Sequence, residues 1–328
     1  MTHSRSQMFT MAESQTATIL TMLRRWLPGQ SWSAVRKLLQ SRRVTVNGVL
    51  CLDEGRRLSC GEIVTIVERS LPLPPGPDDV IMRFVDRNIV VVEKPSGMVT
   101  LRRSEERSWS PQRRSEQPTL DEVVPRLIAR HAAQRSHGRL RTQLPRLFAV
   151  HRLDRDTSGL LLFARDERTQ QHIIHQFAQH DAVRKYLALI PGRLPDQTIR
   201  SHLIRDRGDG LRGSTADQNM GQQAVTHIKY LRQIGDCSEL ECRLETGRTN
   251  QIRIHLAELG HPVCGDIKYR GPFGGPRLDD TSGCPRLALH ATQLRLVHPE
   301  TGEFLQYDSP WPSRIQHFLT QLQAGSQS

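Results

Sequence analysis

Residues 149–166 read AVHRLDRDTSGLLLFARD. His151, Arg152, Asp154, Arg155 and Asp156 surround one apolar residue, Leu153. Thr157-Ser158-Gly159 is a turn, and it feeds the apolar run Leu160-Leu161-Leu162-Phe163. That run is apolar enough to be a buried central strand. Asp154 then sits at the rim of a sheet, on a loop held by a rigid element, which suits a catalytic carboxylate. A buried carboxylate needs a partner, because an isolated ion there is costly. The plainer alternative is an Asp that caps the turn. Leu153 is expected to face the core and anchor the loop, with Arg152 and Asp154 directed into a site.

A second dense stretch, ECRLETGRTNQIRIHLAELGHPVCGDIKY, spans 241–269. Cys242, Leu244 and Thr246 alternate as a strand, and Gly247 turns it. TNQIRIHLAELG reads as a helix, with Thr249 or Asn250 near its start and Gly260 as its C-cap. Arg248 lies at the strand-to-helix junction and Arg253 on the helix. An Arg in such a place can pair bidentately with a carboxylate or phosphate. His255 and His261 have no third clustered ligand and are expected to make structural hydrogen bonds. In AVRKYLALIPG, 182–192, Tyr186 precedes a strand. Such a ring is either core, with its hydroxyl satisfied at an edge, or a stacking surface for a base.

The chain has 328 residues and a formal charge of +12, an excess that suits a polyanion. Arg dominates Lys; a GC-rich genome would do the same, so the distribution carries the argument. From Ser14 to Leu52 there is no acid, while Arg24, Arg25, Arg36, Lys37, Arg42 and Arg43 are present. From Arg126 to Arg146 there are again six Arg and no acid. The cysteines at 51, 60, 237, 242, 264 and 284 form no C-x-x-C pair, so they read as reduced thiols without structural zinc. No apolar stretch is long enough for a membrane span, and residues 1–15 lack the core of a signal peptide. The expected location is the cytoplasm, with no membrane partner.

The expected organisation is a flexible tail at 1–15, a small RNA-binding domain at 16–70, a Pro-rich linker at 71–79 and a catalytic domain at 80–320. Ile19, Leu20, Leu23 and Leu27 share one helical face. Ser31 or Ser33 can cap a second helix through Val35, Leu38 and Leu39. Val44-Thr45-Val46, the turn Asn47-Gly48 and Ile63–Ile66 form a small sheet. Residues 102–118, Arg-rich among Ser, Glu and Pro, read as a mobile surface insertion.

SWSAVRKLLQSRRVTVNGVL followed by LSCGEIVTI resembles the S4-like RNA-binding domain. That likeness implies Arg36, Lys37, Arg42 and Arg43 as RNA contacts. HRLDRDTSGLLLFA, KYLAL, GRTNQIRIHLAELGHPVCGD and RLALHATQLRLVHPETGE resemble, in order, the motifs of RluA-type pseudouridine synthases. The likeness covers about residues 80–310. It implies an α+β fold whose catalytic domain is built on a mixed, largely antiparallel sheet. It also implies roles: Asp154 as the catalytic Asp, Tyr186 stacking on the target base, Arg248 pairing with the Asp, and Arg152 entering the space left by a flipped base. Leu287 or Leu289 would supply the apolar wall beneath the base. Asn250 stands where the family usually has His, which puts substrate contacts of that loop in question.

The implied reaction converts uridine to pseudouridine. The base must leave its stack, and one carboxylate must assist C–N cleavage. Arg248 is expected to hold the pKa of Asp154 low. No oxidation state changes, so no cofactor or metal is expected. The expected partner is structured RNA, ribosomal RNA first and transfer RNA second, acted on by a monomer. Two other readings compete: a non-catalytic RNA-binding or ribosome-assembly factor on the same fold, and a hydrolase pairing Asp154 with Asp156.

Overall fold

The computed structural model describes residues 7–11, 17–136, 144–217 and 219–325. Its chain divides into two units, 1–74 with 105–117, and 75–104 with 118–328.

The first unit pairs two short helices with a small sheet. Helix Ile19–Trp26 is capped by Thr18, and helix Trp32–Gln40 by Ser31, whose hydroxyl accepts from the Ala34 amide at 3.1 Å. Ile19, Leu23, Val35 and Leu39 bury completely, as their helical spacing requires. Asn47 and Gly48 both take positive φ (52° and 74°), the geometry that closes a two-residue hairpin. The expected flexible tail needs correction. Gln7–Thr10 is a strand, paired antiparallel with Ile63–Ile66. The insertion also differs from an irregular surface loop. It contains helix Pro111–Glu116, and the span 105–117 belongs to the first unit. There the Gln117 side chain donates to the Leu50 carbonyl at 3.4 Å, and the Arg113 guanidinium stacks on Trp109.

The second unit is built on one sheet that joins 11 strands among the described residues. Every pairing in it is antiparallel except one, between Ser158–Ala164 and Leu289–Val297. The run at 160–163 is central and buried on both faces, which explains its lack of polar alternation. Leu160 and Leu162 pack with Ile173 and Phe177 of helix Glu167–Ala178. Leu161 and Phe163 face the larger core, with Val123, Val124 and Leu127 of helix Leu120–Ser136. The single parallel contact is short, Ser158 with His290 and Gly159 with Ala291. Gly159 has φ +114°, and a Cβ there would collide with the Ala291 backbone. Glycine is therefore required where these two strands touch.

Candidate active site

The loop 150–157 approaches this contact and is held from three sides. Leu153 is buried, as its place among charges suggests, and its amide and carbonyl both bond the Thr100 hydroxyl. Ser96 donates to the Asp156 carbonyl at 2.7 Å. The Lys94 ammonium, fully buried, donates to the carbonyls of Pro95, Met98 and Arg155 at 2.8–2.9 Å. Burial pushes its pKa down to about 7, against the pull of Asp156 and Asp154. Three carbonyl acceptors call for three N–H donors, so the site itself favours the charged form.

Asp154 opens from this loop into a cavity of about 490 Å³, whose walls include Tyr186, Arg248, Arg253 and Leu289. That size falls within the range of roughly 300–1,000 Å³ typical of small-ligand sites. Tyr186 lies inside strand Val183–Pro191 and is 5% exposed. Burial raises its pKa, so the hydroxyl stays neutral. Leu289 lines the cavity, whereas Leu287 is buried in the main core. Arg152 is exposed at the rim.

The counter-ion of Asp154 is Arg253, at 3.7 Å, and not Arg248. Arg248 sits in the exposed turn ahead of the helix, and its Nε donates to the Gln223 carbonyl at 3.0 Å. Arg253 is on the first turn of helix Gln251–Glu258, whose residues 251–257 are all buried. Asp266, fully buried, grips it bidentately at 2.6 and 2.9 Å. Burial works against the Arg253 charge, but Asp266 and Asp154 outweigh it and raise its pKa. The expectation of a lowered Asp154 pKa also needs correction. Desolvation raises it, and Arg253, Arg152 and Lys94 oppose that rise.

Asn250 has φ 60°, a left-handed conformation that Asn tolerates better than most residues. Its side chain accepts from Arg253 Nη1 at 3.1 Å and donates to the Tyr269 hydroxyl at 2.8 Å. It therefore braces the same guanidinium that meets Asp154. His255 is bonded at both ring nitrogens, to Ser201 and Thr226, and His261 bonds the Pro191 carbonyl.

Residues 88–258 match the family model described as RNA pseudouridylate synthase. The chain belongs to that family. This RNA pseudouridine synthase, an isomerase, is 33% identical over 304 residues to the uncharacterized RNA pseudouridine synthase YlyB of Bacillus subtilis, covering 89% of this chain and 90% of that one. It is 31% identical over 317 residues to the ribosomal large subunit pseudouridine synthase D of Neisseria meningitidis serogroup B, covering 94% and 79%. Its fold is that of human RNA pseudouridylate synthase domain containing 4, with a TM-score of 0.55 over 74% of this chain and 92% of that one, at 22% identity.

The basic residues expected to meet RNA are used unevenly. Lys37 is exposed, and Arg36 is exposed but paired with Glu54 at 2.7 Å. Arg42 takes φ 60°, and Arg43 donates to the Val67 carbonyl. In the second basic stretch Arg130 reaches Asp78 at 3.3 Å, while Arg139 and Arg141 lie outside the described residues. No helix among the described residues is long and apolar enough to cross a membrane. The sequence reading missed Lys94, Asp266 and Arg184 as parts of the site. A buried EKP segment and a GD after the helix were the available signals for the first two.

Proposed function

We propose that the enzyme converts a specific uridine of large-subunit ribosomal RNA to pseudouridine, by base flipping and Asp154-dependent cleavage of the glycosidic bond. One observation carries this reading: Asp154 stands on a hydrogen-bonded loop in the wall of a cavity, with Arg253 at 3.7 Å and Tyr186 lining the same cavity. Uridine in folded RNA hides its glycosidic bond, so the base leaves its stack to enter such a cavity. Leu289 and Tyr186 offer it apolar and aromatic surface. The N1–C1′ bond breaks, the uracil turns, and a C5–C1′ bond forms. The C5 proton is lost and N1 gains one, so the formula is unchanged. Asp154 assists as an ionised nucleophile or base, and Arg253 orients it.

The ribosomal target is favoured because several relatives carry the name ribosomal large subunit pseudouridine synthase D. The basic first unit, read as S4-like, would add sequence-independent phosphate contacts. The test is pseudouridine mapping of ribosomal and transfer RNA from cells with the gene, without it, and with Asp154→Asn. One ribosomal site should disappear in both mutant strains, while purified Asp154→Asn should still bind RNA. A site lost only from transfer RNA would overturn the target, and full modification by Asp154→Asn would overturn the role of Asp154.

A further inference from the structure

We propose that Arg184 is the seat of a phosphate group of the RNA strand next to the target uridine, a reading that rests on the cavity receiving that uridine. Arg184 lines the same cavity as Asp154 and Tyr186. Its guanidinium stacks over the Phe177 ring at 4.4 Å. Its Nε is sealed from solvent and has no hydrogen-bond partner among the described residues. No carboxylate pairs with it among the described residues. The cavity's other cations and acids are differently placed. Arg253 is held by Asp266, Arg248 bonds a carbonyl, and Glu245 accepts from His227 at 2.6 Å.

A desolvated guanidinium without an anion is an unfavourable arrangement on its own. Burial lowers its pKa, yet an Arg this basic remains protonated. The adjacent His151 supplies no negative charge. Its Nε2 accepts from the Leu162 amide, and burial with the Arg184 charge lowers its pKa to about 3, leaving it neutral. Gly247 lies against the guanidinium: a Cβ there would come within 2.9 Å of Nη1 and 3.3 Å of Nη2, so the glycine leaves the fork its place in the cavity wall. A planar fork that lines an RNA enzyme's cavity without a protein anion matches the oxygens of a phosphodiester. Phe177 fixes the fork in advance, so little freedom is lost on binding.

Isothermal titration with uridine, uridine 3′-monophosphate and uridine 5′-monophosphate tests this on the full-length protein. At least one phosphate should bind the wild type about tenfold tighter than uridine, as one charge-assisted fork implies. Arg184→Met keeps an apolar stem on Phe177 and should bind all three alike; Arg184→Lys should recover part of the gain. A wild type that gains nothing from either phosphate overturns the proposal. So does an undiminished gain in Arg184→Met, even with a lowered melting temperature, since Arg184 would then only pack. With RNA as substrate, Arg184→Met should raise KM and largely preserve kcat; a fall in kcat alone counts against the proposal. The titration needs no turnover. A wild type that shows the phosphate gain but leaves ribosomal uridines unmodified would sink the reaction proposed above and keep this site.

Discussion

Replacing Arg253 should move the acid limb of the activity profile to higher pH. The pair with Asp154 spans 3.7 Å, and Asp154 is 19% exposed. At an effective dielectric of about 20 the Coulomb attraction is about 4 kcal/mol. Cavity water screens part of it, leaving about 1–2 kcal/mol, or about tenfold in the ionisation equilibrium. The direction follows from the charge. Desolvation already raises the Asp154 pKa, and Arg253 is the main opposing influence. Without it the carboxylate protonates at higher pH, so activity is lost earlier as pH falls. Arg253→Met also strands the fully buried Asp266, a loss of about 3–5 kcal/mol. Arg253→Met with Asp266→Asn removes that stranded charge and keeps the experiment readable. Arg253→Lys retains the charge but not the fork, so its limb should move less. Single-turnover pseudouridine formation against pH is the assay, corrected for folded fraction. Arg248→Ala serves as control and should keep the wild-type limb. A wild-type limb in the Arg253 variants, or a shifted one in Arg248→Ala, would refute the assignment.

Two other outcomes follow from the packing. His255 and His290 are buried, and burial lowers each pKa to about 4 from an ordinary 6.5. The unfolded chain then binds more protons than the native one between those values. Stability should be full above about pH 6.5 and fall as pH drops toward 4; His290→Gln should flatten the slope of melting temperature against pH, and an unchanged slope would exclude His290. Gly159→Ala should separate the two strands at their only parallel contact. We expect a loss of more than about 3 kcal/mol in denaturant unfolding, and a melting curve matching the wild type would show that the strand contact yields.

Much of the second unit was legible because its elements obey single rules. The run at 160–163 is apolar throughout since both of its faces are covered, and Leu153 is inward since its neighbours are charged. Asp154 and Tyr186, paired by the resemblance, line one cavity. The Arg partner was misread for a specific reason. Arg248 and Arg253 sit in one segment, and spacing alone does not say which faces inward. The clue was the helix itself: residues 251–257 are buried all round, so its Arg needed an interior acid, and Asp266 provides one. Arg184 was hidden by its neighbours, because its surroundings come from helix 167–178 and the turn at 247, distant in sequence. The strand at 7–10 was missed since four residues carry no periodic signal.

The insertion helix at 111–116 bears on how the protein is made. The first unit is assembled from two separate pieces of chain, 1–74 and 105–117. A ribosome releases the linker and the strands Ile81–Val85 and Ile89–Lys94 before the second piece emerges. Synthesis at roughly 5–20 residues per second therefore imposes a wait of seconds on the nascent basic module. During that wait the patch that later receives Gln117 beside Leu50 is uncovered. Synthesis of the two units is thus interleaved: chain of the second unit emerges before that of the first is complete.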